Sequence, residues 1–237
     1  MMTKINLDKK NIPQHIGIIM DGNRRWVEKR SLTINEGHEA GAKNLEKIID
    51  HCLELGVKTL TVYALSTENW RKRTKKEVKG IFNLILQVAK EKKKDYEAKG
   101  IKLAVLGEFQ AFPRKVVRAI REILKIVKTH ERLKVNLALN YGGRDEILNA
   151  VRKIIQEKIP LKKLNEKTFS HFLYTNGEPD PDLIIRTAGE VRVSNFLLWQ
   201  MSYSELYFTD TLWPDFDEKE LDKAIAEYQK RQRNFGK

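Results

Sequence analysis

The chain has one cysteine and no long hydrophobic run, and each shortage excludes a class of protein. Cys52 stands alone within an apolar helical pattern, which excludes a disulfide framework and a thiolate metal site and indicates a buried packing role. No segment approaches the roughly 18 consecutive apolar residues of a membrane-spanning helix, and the first residues lack the hydrophobic core of a signal peptide. We therefore expect a cytoplasmic protein.

Several functional motifs are missing as well. The sequence contains neither a Walker loop nor a Gly-x-Gly-x-x-Gly segment, so it has no nucleotide-binding fingerprint. It has no Gly-x-Ser-x-Gly elbow, and Ser66 has no histidine and acid at a recognisable spacing, which argues against a serine nucleophile. His38 has no second histidine at metal-ligand spacing, which argues against zinc. At the predicted start of a helix over residues 39–55, His38 fits a neutral donor to phosphate and a capping or packing role equally well.

The net charge is +13, from 45 Lys and Arg against 32 Asp and Glu. Such an excess attracts nucleic acid, anionic lipid or phosphorylated small molecules without choosing among them. Most of it is scattered lysine, and the charged runs 71–76 and 91–95 are typical of solvated faces. The arginines in loops are therefore the more informative cations.

Short β-branched runs alternate with longer segments of helical period, without a Gly- or Pro-rich linker or an internal repeat. The alternation predicts strands over residues 15–20, 59–65, 101–107, 135–140, 182–186 and 205–209. Six strands in this pattern predict a single α/β domain with a central, mostly parallel six-stranded sheet covered by helices. Functional residues should then gather where the strands end.

The first strand ends in the segment Asp21-Gly22-Asn23-Arg24-Arg25-Trp26, which suits a metal-bound diphosphate. The strand holds the Asp21 carboxylate at the edge of the sheet, Gly22 lets the backbone approach an anion, and the two arginines supply the opposite charge. A carboxylate that merely caps a helix gives the same local pattern. The loop alone leaves both interpretations open.

Two later segments carry similar chemistry. Arg186, Arg192 and Ser194 follow one another closely at a strand end, a spacing that suits a clamp on one diphosphate. Alternatively, Arg192 is a surface residue and Ser194 caps a helix over residues 195–201. We also place Glu205, with Asp210 just beyond, among the strand ends. A carboxylate in this apolar strand needs a cationic or metal partner, and a structural ion pair explains it nearly as well.

A predicted helix over residues 75–99 is apolar along one face, at Val78, Ile81, Phe82, Ile85, Leu86, Val88 and Ala89. The simplest interpretation is a core helix. In a second interpretation, part of this face lines a tunnel for a long hydrocarbon, together with Leu133, Leu137 and Leu139. The sequence does not separate the two.

Taken in order, several segments closely resemble the cis-prenyltransferases, the undecaprenyl diphosphate synthase family. They are MDGNRRW (20–26), GH (37–38), STENW (66–70), NYGGR (140–144), IRT (185–187), SNFLLWQ (194–200) and ELYF (205–208). The resemblance runs from about Pro13 to Gly236 without a large gap. We therefore assign residues 13–237 to one catalytic domain and residues 1–12 to an N-terminal extension.

The resemblance implies an enzyme that extends an allylic diphosphate, farnesyl or geranylgeranyl, by repeated Z-condensation with isopentenyl diphosphate. The expected cofactor is Mg²⁺, and the expected product is a Z-polyprenyl diphosphate for a lipid glycosyl carrier. A homodimer is also expected, with peripheral membrane contact through the product and no nucleic-acid partner.

The match also implies roles for individual residues. Asp21 binds Mg²⁺ and assists departure of the allylic diphosphate, Glu205 is the second metal-binding acid, and Asn69 matches the proton acceptor. Because a neutral amide is a poor base, we interpret Asn69 as positioning a water or a diphosphate oxygen that takes the proton. The implied isopentenyl diphosphate site is Arg186, Arg192, Val193 and Ser194. The other implied substrate-binding residues are Gly22, Asn23, Arg24, Arg25, Trp26, His38, Ser66, Thr67, Glu68, Trp70 and Arg73.

The chain departs from the family at several positions. Ile34 stands where an arginine normally touches the allylic diphosphate, and Arg24 or Arg30 is available to compensate. Ala188 replaces a glycine of the family's Arg-Thr-Gly-Gly-Glu segment. Asn234 replaces an arginine that reaches the partner subunit's site, with Arg233 adjacent. Arg73 matches the family's arginine after the Glu-Asn-Trp block, with one residue inserted before Glu77. We predict weakened starter binding in an active enzyme.

Three other functions stay open on sequence grounds. A Mg²⁺-dependent phosphohydrolase would also use Asp21 with loop arginines, but the chain lacks a second acid two residues on. An inactive or weakly active partner subunit and a basic anion- or membrane-binding protein are the non-enzyme alternatives. For an enzyme, the small Ala42 and Ala64, the bulkier Leu139 and the lack of an added segment in helix 75–99 favour a medium or long product.

Overall fold

The computed structural model describes residues 5–72, 74–125 and 131–231, and for residues 75 and 76 it describes the backbone alone. Arg73, Arg233 and Asn234, which carry predictions above, lie outside the described residues. The segment before residue 13 lies against the last helix, where the Asp8 backbone N–H donates to the Gln229 side chain at 3.0 Å.

The described residues form six strands in one sheet, and every neighbouring pair of strands is parallel. The strands are β1 (His15–Ile19), β2 (Thr59–Ser66), β3 (Ile101–Leu106), β4 (Leu133–Tyr141), β5 (Leu183–Arg186) and β6 (Glu205–Phe208). Their order across the sheet is β3-β4-β2-β1-β5-β6. Every residue of β1 is buried, as expected for a central strand of a sheet that is covered on both faces. The predicted α/β domain with a six-stranded sheet is confirmed.

Helices lie in every interval between consecutive strands except the one between β5 and β6, where the described residues form turns and loops, and one more helix follows β6. Within the described residues they are α1 (Asn23–Glu28), α2 (Ile34–Leu55), α3 (Thr67–Lys72), α4 (Lys75–Glu91), α5 (Lys93–Lys99), α6 (Arg114–Leu124), α7 (Gly143–Gln156), α8 (Glu166–Ser170) and α9 (Glu218–Lys230). None of these helices is long and apolar enough to span a bilayer.

The predicted start of the second helix, at residue 39, is wrong. Helix α2 begins at Ile34, because Thr33 and Glu36 form a capping box. The Glu36 N–H donates to Thr33 Oγ1 at 3.3 Å, and the Thr33 N–H donates to the Glu36 carboxylate at 2.7 Å. His38 therefore lies in the second turn of α2 rather than at its start.

The single helix predicted over residues 75–99 is also wrong, because the chain turns at Lys92 between α4 and α5. The Lys92 N–H closes α4 on the Val88 carbonyl at 2.9 Å, and the Lys92 carbonyl accepts from the Tyr96 N–H at 2.9 Å. The turn lets α5 bury Tyr96 in the central core, where only 5% of it is exposed.

Three apolar clusters pack against the sheet, and the third of them surrounds Phe196. The central core joins β1 and β2 to α2 and α9. A second cluster joins α4 and α6 to the distal part of β4. Helix α4 contributes residues to both the central core and the second cluster. It is the helix for which the sequence left a core role and a tunnel-lining role as alternatives.

The strand order places a topological switch point between β1 and β5. From β1 the chain continues to β2 on one side, and from β5 it continues to β6 on the other. Open parallel sheets bind ligands outside such a point, at the carboxyl ends of the strands. Since Ile19 pairs with Arg186, the residues that follow β1 lie beside the end of β5.

Candidate active site

Asp21 follows β1 at the switch point and is held from both sides by backbone contacts. Its N–H donates to Thr187 Oγ1 at 2.9 Å, and its carbonyl accepts from the Trp213 N–H at 2.9 Å. Its side chain is one-third exposed, and Oδ2 accepts from Arg186 Nη2 at 2.9 Å. The residue that caps α1 is Gly22, without a side-chain bond, so the interpretation of Asp21 as a helix cap is wrong.

Arg186 connects two loops through one buried guanidinium, which is 5% exposed. Nη1 donates to Ser194 Oγ at 2.6 Å and to the Arg192 carbonyl at 2.5 Å, while Nη2 donates to Asp21. Arg186 and Ser194 therefore form a hydrogen-bonded pair beside the Asp21 carboxylate, and a clamp of Arg186, Arg192 and Ser194 on one diphosphate stays a prediction.

The alternative in which Ser194 caps a helix over residues 195–201 is wrong. These residues form turns, and Ser194, Asn195 and Leu197 have positive φ angles of 46°, 66° and 43°. Left-handed backbone at three such close positions does not continue into a right-handed helix.

The loop after Asp21 places a second arginine beside the carboxylate. Gly22 has φ of 108°, and a Cβ there would lie 3.0 Å from side-chain atoms of Ala188 and Leu212, so the turn requires glycine. Arg25 Nη1 donates to the Ala188 carbonyl at 2.7 Å, and its Nη2 lies 3.7 Å from Asp21 Oδ1. Arg25 and Arg186 thus flank Asp21.

The Ile34 departure leaves an apolar side chain in the lining of the site. Arg24 also lines it and donates to Glu77 on α4 at 2.8 Å, with two-thirds of its side chain exposed. Arg30 pairs with Asp215 at 3.1 Å and is not part of this lining. Of the two arginines that we considered as compensation, only Arg24 is placed to take that role.

Asn69, near the start of α3, lines the same site as Ile34 and Arg24. Its backbone N–H donates to Ser66 Oγ at 3.0 Å, and the Glu68 carboxylate accepts from Asn195 Nδ2 at 3.0 Å. Burial opposes the charge on Glu68, but hydrogen bonds from its own backbone, Asn195 and Ser66 outweigh it and lower the pKa of Glu68. His38 joins these residues in the lining.

A cavity of about 1140 Å³ extends from this polar group into the fold. Its apolar lining comes from α2, α4, α5, α6 and the sheet, and includes Ala42, Ala64, Ile85, Val88, Leu124 and Leu139. Of the three leucines in the tunnel interpretation, Leu137 and Leu139 line the cavity and Leu133 does not, whereas Val135, which belongs to the central core like Leu133, lines it. Helix α4 therefore has a core role through Val78 and Phe82 and also lines the cavity at Ile85 and Val88, and a tunnel for a long hydrocarbon stays a prediction.

Several predicted substrate-binding residues do not line this cavity. Trp26 donates through Nε1 to Asp215 at 2.7 Å. Thr67 is buried, and Trp70 packs on Phe82 and Phe112 with ring centroids 5.6 and 5.0 Å apart. These contacts support α1 and α3, which carry residues of the site.

Arg192 and Val193, two further predicted substrate-binding residues, lie in the loop that follows β5 and also do not line the cavity. The Arg192 side chain is exposed and pairs with Glu190, while its carbonyl receives the Arg186 bond. Val193 packs against the apolar cluster around Phe196. Binding roles for Trp26, Thr67, Trp70, Arg192 and Val193 stay predictions.

Glu205 is not where we predicted it. It is the first residue of β6 and pairs with Leu183, the first residue of β5, so it lies at the amino edge of the sheet, opposite to Asp21. Its Oε2 accepts from Arg231 Nη1 at 2.8 Å, which is the structural ion pair of our alternative. The placement fails because the strand starts at this residue instead of ending near it. A metal role for Glu205 stays a prediction.

Asp21 fits one kind of metal ion. In the part of the chain that the structure describes, no group of three or more His, Cys, Asp or Glu side chains is arranged to hold a metal alone. Mg²⁺ is commonly bound through one or two carboxylates together with waters and substrate phosphates. A partly exposed carboxylate between two arginines suits Mg²⁺ that arrives with a diphosphate, and does not form a preformed metal cage.

The sequence analysis quoted Asn195 and Thr187 only as parts of motifs and gave neither residue a role of its own. Thr187 supports the backbone of Asp21, and Asn195 contacts both α3 and the start of α7. The signal for Asn195 was its residue type, since asparagine tolerates left-handed backbone where most residues do not. Nothing in the local sequence indicated that the Thr187 side chain supports the backbone of Asp21.

Comparisons with known proteins identify the family of the chain. Residues 19–236 match the Prenyltransf family model, which describes undecaprenyl diphosphate synthases. An isoprenyl transferase of Fusobacterium nucleatum is 50% identical over 228 residues, which cover 96% of this chain and 97% of that protein. An isoprenyl transferase of Aquifex aeolicus is 47% identical over 226 residues, which cover 95% of this chain and 96% of that protein.

Two solved structures share the fold. Lavandulyl diphosphate synthase from Lavandula x intermedia, in complex with dimethylallyl diphosphate, superposes with a TM-score of 0.91 at 36% identity, covering 96% of this chain and 100% of that one. A probable undecaprenyl diphosphate synthase from Campylobacter jejuni gives 0.80 at 35% identity, with coverage of 96% and 100%. The chain therefore belongs to the undecaprenyl diphosphate synthase family of prenyltransferases.

Proposed function

We propose that this prenyltransferase condenses isopentenyl diphosphate repeatedly onto an allylic diphosphate, farnesyl or geranylgeranyl, to make a Z-polyprenyl diphosphate. One observation carries the proposal: Asp21, Arg25, Arg186 and Ser194 adjoin a cavity of about 1140 Å³ whose further lining is largely apolar. Diphosphates need the cations, and a growing hydrocarbon needs the apolar walls.

The polar residues would act on the leaving group. A departing diphosphate gains charge in the transition state, and preorganised donors stabilise that charge where it develops. Arg25 and the Gly22 turn hold the allylic diphosphate beside Asp21, while Arg186 and Ser194 hold isopentenyl diphosphate. Mg²⁺, held by Asp21 together with diphosphate oxygens, would supply Lewis-acid stabilisation of the leaving group.

Asn69 would serve the proton that is lost after the new C–C bond forms. Its side chain lies in the lining with Ser66, Glu68 and His38, so it can orient a water or a diphosphate oxygen as acceptor. Ala42 and Ala64 leave room in the cavity and Leu139 takes up part of it, which supports a medium or long product.

The family resemblance supports four further parts of the proposal. The product would serve as a lipid glycosyl carrier. The enzyme would act in the cytoplasm, with membrane contact through its product. It would act as a homodimer. Because Glu205 lies at the far edge of its own sheet, a metal role for it would need a second copy to bring it to the site.

The test is mass spectrometry of products made from isopentenyl diphosphate with geranyl, farnesyl or geranylgeranyl diphosphate and Mg²⁺. We expect a ladder of products that differ by one isoprene unit. Asp21→Asn should reduce turnover at least about a hundredfold. The matched control is Asp222→Asn, because that carboxylate pairs with His51 away from the cavity and its loss should leave turnover near the wild-type rate.

Other outcomes would refute the proposal. Phosphate release from the allylic diphosphate in the absence of isopentenyl diphosphate would identify a phosphohydrolase. Salt-sensitive binding to anionic vesicles without prenyl transfer would identify a binding protein. Near-normal turnover of Asp21→Asn would remove Asp21 from the mechanism.

A further inference from the structure

Asn195 occupies an unusual backbone position between two parts of the site. Its φ is 66°, and the preceding residue, Ser194, has φ of 46°. Asparagine is one of the few residues other than glycine that adopt this conformation readily. The fold therefore uses a residue that combines left-handed backbone with a side chain that both donates and accepts hydrogen bonds.

The first contact of Asn195 is with the start of α7. The Gly143 N–H donates to the Asn195 carbonyl at 2.7 Å, and the Arg144 N–H donates to Asn195 Oδ1 at 2.9 Å. The N-cap residue of α7, Gly142, makes no side-chain cap bond, so Asn195 provides from a distant segment the acceptors that the helix start needs. A Cβ at Gly142 would lie 2.7 Å from Asn195 Nδ2, so the close approach depends on that glycine.

The second contact is with α3. Asn195 Nδ2 donates to Glu68 Oε1 at 3.0 Å, and Asn69 is the next residue of α3. On the other side of Asn195, Ser194 Oγ accepts from Arg186. One amide thus joins the segment that carries Asn69 to the segment that carries Ser194, and both segments line the same cavity.

We propose that Asn195 is a positioning residue that sets the separation between α3 and the Arg186–Ser194 pair. The inference rests on the proposed function, because it concerns the site assigned there to isopentenyl diphosphate. Its amide keeps Ser194 on Arg186 by bonding at the same time to Glu68 and to the start of α7. Isopentenyl diphosphate binding therefore depends on a side chain that holds its neighbours Ser194 and Glu68 in place.

The discriminating variant is Asn195→Asp. Aspartate tolerates the left-handed backbone and keeps the acceptor for Arg144, but it loses the donor to Glu68 and puts two carboxylates together. We expect the KM for isopentenyl diphosphate to rise about tenfold, with less than about a threefold change in the KM for the starter. In a Glu68→Gln background the same substitution should change that KM less than about threefold, because the glutamine amide can donate to the new carboxylate.

Two controls separate positioning from general stability. Asn195→Gly keeps the backbone conformation without the side chain and should raise the KM for isopentenyl diphosphate. This variant provides the test if the Asn195→Asp protein fails to fold. Asn176→Gly removes an exposed left-handed asparagine from another loop and should leave the KM unchanged.

The outcomes are distinct. A wild-type protein that transfers no prenyl group would overturn the proposed function and this inference with it. In an active wild type, an unchanged KM in Asn195→Asp and Asn195→Gly would overturn the inference alone. An equal rise with and without Glu68→Gln would also overturn it, since the effect would then not pass through Glu68.

Discussion

Replacement of Arg186 by lysine tests whether a buried guanidinium organises the site. Arg186 bonds to Ser194 Oγ, to the Arg192 carbonyl and to Asp21 Oδ2, with its side chain 5% exposed. A lysine ammonium carries the same charge, but as a point on a flexible chain it does not reproduce the planar fork that reaches these three acceptors in different segments.

The expected loss follows from the contacts. We take lysine to lose two of the three charge-assisted bonds, each worth about 1.5 kcal/mol net. Because Asp21 is one-third exposed, its share is discounted for solvent screening, which leaves about 2 kcal/mol. If that energy is lost from the transition state, kcat/KM for isopentenyl diphosphate falls roughly 30-fold.

The assay measures initial rates with isopentenyl diphosphate varied at saturating starter. Arg192→Lys is the matched control, because the Arg192 side chain is 60% exposed and its guanidinium, within the described part of the chain, pairs with Glu190 alone. We expect a loss below about tenfold for this control. A loss at Arg192 equal to or larger than that at Arg186 would refute the inference that the buried guanidinium organises the site.

Three further predictions test the backbone, the cavity and the pH response. Ala188 has φ of 73°, so Ala188→Gly should relieve backbone strain and raise the free energy of unfolding in urea by roughly 0.5 kcal/mol. The control Ala40→Gly, inside α2, should lower that free energy by about 1 kcal/mol. A lower free energy of unfolding in both variants would contradict the strain argument. Ala42→Leu narrows the cavity and should shorten the products seen by mass spectrometry. Ala40→Leu, at a position outside the lining, should leave the product lengths unchanged. Unchanged product lengths in Ala42→Leu would show that this part of the lining does not control chain length. Burial lowers the pKa of His15 below its ordinary 6.5, so the unfolded chain binds more protons and stability should fall by up to about 1.4 kcal/mol per pH unit as the pH drops below that value. Urea unfolding of His15→Gln across this range should have a shallower pH dependence, and an identical slope would refute the assignment.

The strands were predictable because their signal is local. Each is a short run of apolar and β-branched residues, and β1 is buried along its whole length, so a continuous apolar segment in the sequence is what the interior of a parallel sheet requires. The helix errors arose where a boundary depends on side-chain capping or on a turn. Thr33 with Glu36 starts α2 before its apolar pattern begins, and Lys92 interrupts a pattern that continues past it.

The site was predictable in part for the same reason. Asp21 and Arg186 lie at strand ends, which a parallel sheet brings to one edge, and Arg25 follows in the helix that begins two residues after Asp21. Glu205 was misplaced although the predicted strand 205–209 begins at this residue, because it was grouped with the strand ends, and the first residue of a parallel strand lies at the opposite edge of the sheet.

By itself, the sequence determined the family, the six-stranded α/β architecture and the loop at Asp21, because motifs and hydrophobic periods are properties of neighbouring residues. The tertiary structure alone decided that Arg186 bonds to Asp21, that Asn195 joins α3 to α7, and that the apolar faces of α2, α4 and α6 leave a cavity. These contacts join residues far apart in the chain. Their distances depend on strand order and helix packing, which no local pattern specifies.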